Sequence, residues 1–414
     1  MFYYLVGIKG SAMSALAKLL IDDGHVVRGA DDLRHYFTED TLDCEVDSFD
    51  NIEYDSKYTY IIGNAYTNHS STLKIIERNY TYYKYPEFIN YYFSKHKLIA
   101  VSGSHGKTTT VKMIATLAPD SSFIIGDGSG KGNNKNVLIL EACEYKNTFL
   151  NYSPNIAVVL NIDYDHPDFF KNEDEYRKSF IQFIKKSNLV IANGDDSNIK
   201  NINSNNMILY GMDDSNDVQF DYYMDGDKAI VNVLGEEYVL PIIGKHYAYD
   251  FVASLLVSKY LGIDSSIAKE RIEKFEMPKR RLEIKEYDKS IIIHDYAHHP
   301  KEIECVYDTL RAKYPKKMIK CIFEPHTVSR SLSFKDGFKK ALNLFDKVYL
   351  LPIFSSVREK KSIIIEEQLY RYWGFERINE SYIKNIIYDN EVVVLLGAGD
   401  INEVYSSIVN VKNM

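Results

Sequence analysis

Residues 97–109 read KLIAVSGSHGKTT, and this stretch decides the fold class. The apolar, β-branched residues 97–102 predict a buried strand, and the helical spacing from Lys107 onward predicts a helix after a glycine-rich turn. Such a turn directs backbone amides at phosphate oxygens, while a lysine reaches the β- and γ-phosphates and a hydroxyl binds Mg²⁺. The first glycine of the usual eight-residue motif would fall at Val101, so the loop is a shorter variant. We therefore predict a nucleoside-triphosphate site at Lys107 and Thr108, the alternative being a coincidental Gly-Lys-Thr at a helix start.

The same strand–turn–helix pattern opens three successive blocks of the chain. A first strand at residues 3–8 is followed by an amphipathic stretch at 11–21, and further blocks begin with strands near 97 and 290. Apolar strands that alternate with amphipathic helices are typical of parallel α/β sheets. We predict an α/β protein of three domains, at residues 1–94, 95–278 and 279–414. The Asn- and Asp-rich residues 194–227 are interpreted as loops of the middle domain.

The composition is that of an ordinary folded protein. Apolar residues at 45% and charged residues at 26% exclude a wholly disordered or fibrous chain. The net charge of −8 argues against a general nucleic-acid binder, because such a protein needs an excess of basic residues. The cysteines form no Cys-x-x-Cys pair, and the sequence shows neither a signal peptide nor an apolar run of about 18 residues. We expect a soluble, cytoplasmic protein that binds no nucleic acid and does not insert into membranes.

The first strand also runs into a glycine-containing turn, at residues 7–12. A dinucleotide fingerprint would read Gly-x-Gly-x-x-Gly, but Lys9 and Ala12 occupy the second and third glycine places. The turn can still direct backbone N–H groups and a helix N-terminus at a pyrophosphate. A nicotinamide or flavin site is therefore one interpretation, and a different nucleotide diphosphate is another.

Two strand ends of the middle block carry acidic side chains in apolar surroundings. Glu141 follows the apolar residues 137–140, and a buried carboxylate needs a cation, either Mg²⁺ on the nucleotide or a nearby lysine. Residues 161–168 follow the next strand and place His166 among acidic groups. Open α/β sheets bind ligands at such strand ends. We therefore favour a ligand or phosphate contact for His166 over a purely structural role.

Polar clusters also follow two strands of the third block. Residues 294–300 form one cluster, and residues 323–330 form the other, which ends at Arg330, whose guanidinium can fork onto a carboxylate. Capping could explain one cluster, but two at matching sheet edges indicate a site between domains. The tandem Arg280 and Arg281 before this block are either linker charges in solvent or site residues.

Taken in chain order, these strings resemble the Mur ligases. The matching pieces are residues 6–17, 103–108, 126–132, 141–145, 161–168, 295–300, 325–326 with 329–330, and 397–400. One piece alone is moderately specific, whereas eight in the family's order make the resemblance strong. It implies an N-terminal Rossmann-like domain for a UDP-sugar, a central P-loop ATPase domain with a mostly parallel sheet, and a C-terminal Rossmann-like domain for an amino acid.

The resemblance also implies a reaction and its cofactors, ATP and Mg²⁺. His105 and the pair His298-His299 favour the alanine-adding members of the family. ATP would phosphorylate the lactyl carboxylate of UDP-N-acetylmuramate, and the amine of L-alanine would attack the acyl phosphate in peptidoglycan precursor synthesis. The partners would be these small molecules, and the chain would be a monomer or a homodimer.

Positions in the shared motifs imply a role for each site residue. Catalysis would fall to Lys107, Glu141 and His166, and metal binding to Thr108, Glu141 and His166. Nucleotide binding would fall to Gly103, Ser104, His105, Gly106, Lys107, Thr108, Thr109, Arg281 and Asp295. The UDP-sugar would be received by Gly7, Ile8, Lys9, Gly10, Ser11, Asp31, Asn64 and His105, of which His105 would face the muramyl group. L-alanine would be bound by Tyr296, His298, His326 and Arg330.

Several positions depart from the family pattern. Ala12 replaces a glycine and Ala30 a common serine, Tyr247 and Asp250 stand where asparagines usually lie near the adenine, and His294 replaces an aspartate. Three alternatives to the alanine-adding enzyme remain open. They are a sibling such as the ligase that recycles murein tripeptide, a nucleotide-dependent binding switch, and a nicotinamide oxidoreductase, against which the Gly-Lys-Thr loop argues.

Overall fold

The computed structural model describes residues 1–133, 136–287, 290–354, 362–386 and 390–410. The strands form three separate sheets that follow one another along the chain. The first sheet ends at Lys84, the second extends from Lys97 to Leu240, and the third begins at Glu283. This arrangement confirms the predicted α/β fold with three domains.

The N-terminal sheet is parallel throughout, in the order β3-β2-β1-β4-β5. Its strands are β1 (Phe2–Val6), β2 (Val26–Asp31), β3 (Val46–Ser48), β4 (Thr59–Ile62) and β5 (Tyr82–Lys84). Its helices are α1 (Ser11–Asp22), α2 (Ser70–Glu77) and α3 (Tyr85–Tyr92). The first strand ends two residues before the predicted end at residue 8, because Gly7 takes a φ of +83° and begins the turn. The order is that of a Rossmann-like domain, as expected.

The central sheet has the order β15-β14-β13-β12-β11-β10-β6-β9-β7-β8. Its strands are β6 (Lys97–Ser102), β7 (Ser122–Ile124), β8 (Gly130–Lys131), β9 (Val137–Glu141), β10 (Ile156–Val159), β11 (Leu189–Asn193), β12 (Met207–Gly211), β13 (Val218–Asp225), β14 (Lys228–Val233) and β15 (Glu236–Leu240). Its helices are α4 (Lys107–Leu117), α5 (Glu173–Lys185), α6 (Ser197–Lys200), α7 (Lys245–Tyr260) and α8 (Ser265–Ile272). The pairings are parallel except those of β13 with β14, β14 with β15, and β7 with β8. The sheet is therefore mostly parallel, as predicted.

The interpretation of residues 194–227 as loops is wrong. This segment contains α6, β12 and β13. Tyr210 and Phe220 supply the buried face of these strands, while Asp221 and Asp225 occupy exposed strand positions and the other Asn and Asp residues lie outside the two strands. The polar composition therefore concealed a strand pattern that alternates between one buried and one solvated face.

The C-terminal sheet has the order β16-β17-β21-β18-β19-β20. Its strands are β16 (Glu283–Tyr287), β17 (Ser290–Asp295), β18 (Ile319–Phe323), β19 (Lys347–Leu350), β20 (Glu376–Arg377) and β21 (Val392–Leu396). Its helices are α9 (Pro300–Lys313), α10 (Val328–Ser333), α11 (Lys335–Leu342), α12 (Ile363–Trp373) and α13 (Ile401–Asn410). Only the pairing of β16 with β17 is antiparallel.

Apolar contacts join the three domains. Helix α1 packs on the edge strands β7 and β8 of the central sheet, where a Cβ on Gly130 would lie 1.8 Å from the carbonyl oxygen of Ala15. Leu16 and Leu140 share one hydrophobic cluster across this junction, and Val111 and Leu310 share another between the central and C-terminal domains. The carboxyl ends of β1, β6 and β17 consequently lead into one junction.

Within the described residues, no helix combines the length and apolar character that a membrane crossing requires.

Candidate active site

A cavity of about 240 Å³ lies where the three domains meet. Ser11 begins the first helix of the N-terminal domain, Lys107 begins the helix after the phosphate-loop turn, and Tyr296 follows β17 of the C-terminal domain. All three line the cavity. It is also lined by Ser104, His105, Gly106, Thr108, Gly126, Asp127, Glu141, Cys143, Glu144, Asp165, His166, Lys279, Arg280, Arg281, His298, Glu302 and Arg330.

The turn over residues 103–106 has the geometry of a phosphate-binding loop. Gly103 and Gly106 take φ values of +148° and +85°, which a residue with a side chain rarely adopts. Asn161 clamps the turn, since its Oδ1 accepts from the His105 amide at 2.8 Å and its Nδ2 donates to the His105 carbonyl at 3.1 Å. The Ser104 hydroxyl meets the carbonyl oxygen of Asp163 at 2.6 Å. The turn is thus held open by residues 161–163, which the sequence placed at a neighbouring strand end.

Lys107 is paired with a carboxylate that sequence reasoning gave no role. Its Nζ lies 3.1 Å from Glu144 Oε2 and donates to the carbonyl oxygens of Gly103 and Ser104. Burial disfavours both charges, but their mutual attraction outweighs it: the pKa of Lys107 is raised, and that of Glu144 falls to about 2. Glu144 lies in the segment 141–145 that resembles the Mur ligases, three residues after Glu141. This position was the one signal in the sequence that could have identified it. The pair keeps a full positive charge at the phosphate loop.

Thr108 and Glu141 lie together, as the sequence predicted for a metal site. The Thr108 hydroxyl donates to the Glu141 carboxylate, and the Gly126 amide donates to Glu141 Oε1 at 2.5 Å. Burial raises the pKa of Glu141, so a bound cation would stabilise its ionised form. Hydroxyl and carboxylate oxygens are the ligands that Mg²⁺ prefers. These two residues therefore fit a Mg²⁺ ion that completes its shell with phosphate oxygens and water.

His166 lies in the same cavity but faces a carboxylate. Its Nε2 is 3.4 Å from Glu144 Oε1, and its ring packs on Tyr145 with centroids 4.6 Å apart. His166 takes a φ of +57°, which places it at a tight turn after β10. Among the described residues, no three or more His, Cys, Asp or Glu side chains form a cluster that could hold a metal by themselves. A metal at His166 would therefore need ligands from the substrates.

Arg330 forms a buried ion pair that the sequence did not predict. Its Nε and Nη2 donate to Asp165 at 2.9–3.1 Å, which links α10 of the C-terminal domain to the strand end of the central domain. Although burial disfavours its charge, attraction to Arg330 holds the pKa of Asp165 far below its usual range. Nη1 of Arg330 lies 3.3 Å from Nδ1 of His326. The guanidinium that was assigned to the alanine carboxylate therefore already has a carboxylate partner within the chain.

Glu302, at the start of α9, connects several predicted site residues. Its Oε1 lies 3.4 Å from Nδ1 of His105 and 3.6 Å from Arg281, and its Oε2 accepts from the amide of His298 at 3.0 Å. Burial disfavours an imidazolium at His105, but Glu302 outweighs it and raises the pKa. The other ring nitrogen of His105 lies 3.5 Å from Asp163 Oδ2. His105, which was expected to face the sugar, thus directs its ring at two carboxylates, one of them in the C-terminal domain.

A second cavity of about 200 Å³ lies on the far side of the phosphate loop. Thr109, Tyr247 and Asp250 line it, together with Arg281 and Asp295. Burial raises the pKa of Asp250 to about 8, so this carboxyl is largely protonated at neutral pH and can donate a hydrogen bond. Tyr247 and Asp250, which replace the usual asparagines, therefore both line this second cavity.

The carboxylate of Asp295 is bonded to backbone amides of its own chain. Its carboxylate accepts from the amides of Leu282 and Ala297, each at 2.8 Å, and burial raises its pKa to about 6. These bonds fasten the linker before β16 to the end of β17. His294, the preceding residue, is fully buried, and its ring stacks on Tyr405 with centroids 5.1 Å apart.

The N-terminal turn is covered by side chains from the end of β2 and from the segment after β4. The carboxylate of Asp31 accepts from the Lys9 amide at 2.7 Å and from the Tyr66 hydroxyl at 2.9 Å. A Cβ on Gly7 would lie 2.3 Å from the Tyr66 ring, so the ring covers that part of the turn. Of the residues predicted for the UDP-sugar, Ser11 and His105 line the three-domain cavity, while Asn64 is exposed at the sheet edge.

The comparisons with known proteins agree with this geometry. The family model described as Mur ligase middle domain matches residues 129–258, and the model described as Mur ligase, glutamate ligase domain matches residues 280–399. UDP-N-acetylmuramate-alanine ligase MurC from Thermotoga maritima superposes with a TM-score of 0.81 at 23% identity over 100% of this chain and 99% of that chain.

Two further solved structures share the three-domain fold. A murein peptide ligase from Psychrobacter arcticus matches with a TM-score of 0.69 at 17% identity, over 99% of this chain and 98% of that one. A pseudomurein peptide ligase type C from Methanothermus fervidus matches with a TM-score of 0.67 at 17% identity, over 98% and 99%. Because the two domain models together span more than half of its length, this chain belongs to the Mur ligase family, whose members are ATP-dependent ligases.

Proposed function

We propose that this chain joins L-alanine to the lactyl carboxyl group of UDP-N-acetylmuramate at the expense of ATP. One observation carries the proposal: a single cavity is lined by the phosphate loop, by the start of α1 in the N-terminal domain and by Tyr296 and His298 in the C-terminal domain. An enzyme that brings three substrates to one reaction needs such a junction. The similarity in fold to the alanine-adding ligase over the full length of both chains supports the same substrates.

The phosphate loop would bind and orient the triphosphate. The N-terminus of α4, which begins at Lys107, directs partial positive charge at the phosphates. Lys107, held charged by Glu144, can exchange its two carbonyl acceptors for β- and γ-phosphate oxygens. Phosphoryl transfer depends mainly on such positioning and on neutralised charge, so no covalent nucleophile from the protein is required.

Thr108 and Glu141 would hold Mg²⁺, with His166 close to the same phosphates. The ion would supply neutralising charge to the phosphoryl group in transit. Glu141 is well placed for this role because the Gly126 amide fixes one of its oxygens and the Thr108 hydroxyl touches its carboxylate.

The two bond changes would follow in sequence within the cavity. A carboxylate oxygen of the sugar attacks the γ-phosphorus and ADP leaves, and the amine of alanine then attacks the acyl carbon and releases phosphate. His298 lines the C-terminal side of the cavity, and burial keeps its imidazole neutral by lowering its pKa. Its Nδ1 faces two acceptors, the Tyr296 carbonyl oxygen at 3.0 Å and Glu302 Oε2 at 3.4 Å, so Nδ1 carries the proton and Nε2 the lone pair. That nitrogen can accept a hydrogen bond from the amine of alanine and so orient it.

Release of phosphate from ATP tests the proposal. The purified chain is incubated with ATP, Mg²⁺ and UDP-N-acetylmuramate, together with L-alanine, glycine, L-serine or the murein tripeptide in turn. We expect phosphate release that requires the UDP-sugar and is fastest with L-alanine. Activity with the tripeptide and none with L-alanine would assign the chain to the recycling ligases instead. Slow hydrolysis that ignores the UDP-sugar would indicate a binding switch.

A further inference from the structure

Arg280 joins all three domains at the three-domain cavity. It belongs to the linker between α8 and β16, and its guanidinium lies between two aromatic rings. The ring centroid of Phe37, in the N-terminal domain, is 3.9 Å from its Cζ, and that of Tyr296, in the C-terminal domain, is 4.5 Å away. Contacts of the planar cation with ring faces leave the N–H donors at its edge available to an anion. Arg280 belongs to the lining of the cavity.

The guanidinium has no hydrogen-bond acceptor among the residues that the structure describes. Asp127 and Glu283 are the acidic groups that act on it electrostatically, while Arg281 repels it, and burial lowers its pKa. Glu283 uses Oε1 to accept from the backbone amide of Arg280 at 2.5 Å. A partly buried cation without a bonded anion is costly, so the arrangement implies an anion that is absent from the chain itself.

The backbone fixes this orientation. Arg280 takes a φ of +60°, and its carbonyl oxygen accepts from the amide of Tyr296 at 2.9 Å. A positive φ at a residue with a long side chain is uncommon and is retained where surrounding contacts enforce it. The side chain is thus presented to the cavity rather than left to move in solvent.

Position in the cavity separates two possible anions. The phosphate-loop side already has Lys107 and the N-terminus of α4, whereas Arg280 contacts Phe37 of the N-terminal domain. The loop that carries Phe37 is held by Lys9, whose Nζ donates to the carbonyl oxygens of Asp32 and Arg34 at 3.0 Å and 2.9 Å. Ser11, at the N-terminus of α1, lines the same cavity, and Gly10 caps that helix without a side chain. The donors on this side suit a phosphoryl group attached to the sugar substrate.

We infer that Arg280, held by its contacts with Phe37 and Tyr296, binds phosphoryl oxygens of the nucleotide-linked sugar. The inference rests on the proposed function, because it takes the UDP-sugar as the substrate. Arg280 is then a residue for substrate recognition that is positioned by contacts with the N-terminal and C-terminal domains.

Calorimetric titration of the full chain tests this inference. The probes are UDP-N-acetylmuramate alone and a non-hydrolysable ATP analogue with Mg²⁺ alone. The variants are Arg280→Gln, Phe37→Leu and the matched control Lys274→Gln, which removes the same charge from an exposed residue of the same linker. We expect Arg280→Gln to weaken UDP-sugar binding at least about tenfold, Phe37→Leu to weaken it about threefold, and Lys274→Gln to change it less than twofold. Binding of the ATP analogue should change less than twofold in all three.

Each contrary outcome has its own meaning. If the parent chain binds the UDP-sugar and Arg280→Gln binds it equally well, the inference is wrong while the proposed function stands. If Arg280→Gln weakens the ATP analogue and not the UDP-sugar, the anion is a nucleotide phosphate and the inference is overturned. If the parent chain binds no UDP-sugar, the proposed function fails and the inference with it. Unchanged thermal unfolding midpoints of the variants exclude loss of folding as the cause.

Discussion

The phosphate loop of the central domain (residues 103–106) and the glycine turn of the N-terminal domain (residues 7–12) have the same local architecture but differ in the side chains that contact them. Both follow a buried parallel strand and begin a helix, at Lys107 and at Ser11. The phosphate loop is held by Asn161, which accepts from the Ser104 and His105 amides, while Gly106, Lys107 and Thr108 at the start of α4 line the cavity. The N-terminal turn is covered by the carboxylate of Asp31 and the ring of Tyr66. A strand–turn–helix unit therefore does not by itself make a phosphate site, because what fills the turn decides whether its donors are available.

The largest expected effect concerns the open turn. Lys107→Ala and Glu141→Ala should each lower turnover at least about a hundredfold, because each removes charge or a metal ligand where phosphoryl charge develops. Lys112→Ala, on the same helix, is the matched control and should retain near-normal turnover. The measurement is the rate of phosphate release at saturating substrates. Near-normal rates in either active-site variant would refute the assignment of the loop.

A second prediction concerns the buried carboxyl behind the open turn. Asp250 keeps its proton until about pH 8 in the folded chain, whereas an unfolded aspartate loses it near pH ~4. Folding therefore takes up a proton between these values, and this contribution to stability is lost as the pH rises through the window. Asp250→Asn has no carboxyl group at this position and should not show this loss of stability. The free energy of unfolding of Asp250→Asn minus that of the parent should therefore increase by up to about 1.4 kcal/mol per pH unit between pH 5 and 8.

Urea unfolding of the two proteins at several pH values measures this difference. The gain should level off above about pH 8, where the folded carboxyl is ionised as well. Parallel stability curves for the parent and Asp250→Asn over the whole range would mean that the carboxyl titrates normally.

A third prediction concerns the N-terminal turn, where substitution of Asp31 should lower the free energy of unfolding. Asp31→Ala leaves the buried amide of Lys9 and the hydroxyl of Tyr66 without their acceptor, at a cost of about 1–3 kcal/mol in the free energy of unfolding. Asp55→Ala is the control, since Asp55 accepts from the Lys57 amide in an exposed turn and its loss should cost less than about 0.5 kcal/mol. Equal losses in the two variants would show that the N-terminal turn does not depend on its internal acceptor.

The smallest effect is expected at Lys9, which replaces a glycine of the fingerprint. Lys9→Met should lower the free energy of unfolding by about 1 kcal/mol. The substitution removes the ammonium group that donates to two backbone carbonyl oxygens and pairs with Glu39, while the methionine side chain can still pack where the lysine methylene groups lie. Hydrogen exchange of the amides at residues 32–38 should accelerate, since Lys9 ties that loop to the turn. Unchanged exchange there would remove Lys9 from this role.

The sequence could predict features that are local in the chain. The phosphate loop, the three α/β domains and the placement of Glu141 beside Thr108 all follow from short motifs and from apolar periodicity. Pairings between distant residues could not be predicted in this way. Arg330 and Asp165 are 165 residues apart, and their bond depends on how two domains pack.

Geometry at single residues explains the remaining differences. Glu302 contacts His105, Arg281 and His298 because α9 begins beside the phosphate loop. Asp31 is predicted to contact the UDP group, and in the structure its carboxylate accepts from the backbone amides of Lys9 and Asp32. The strands within residues 194–227 were missed because the segments that flank them are rich in Asn and Asp.

The fate of one oxygen atom tests the central claim most directly. UDP-N-acetylmuramate labelled with ¹⁸O in its lactyl carboxyl group is incubated with ATP, Mg²⁺, L-alanine and the chain, and the released phosphate is analysed by mass spectrometry. An acyl phosphate transfers one carboxyl oxygen to phosphorus before the amine displaces it, so we predict one ¹⁸O atom in each phosphate released. Phosphate without the label would show that water attacks ATP directly and would contradict the ligase mechanism.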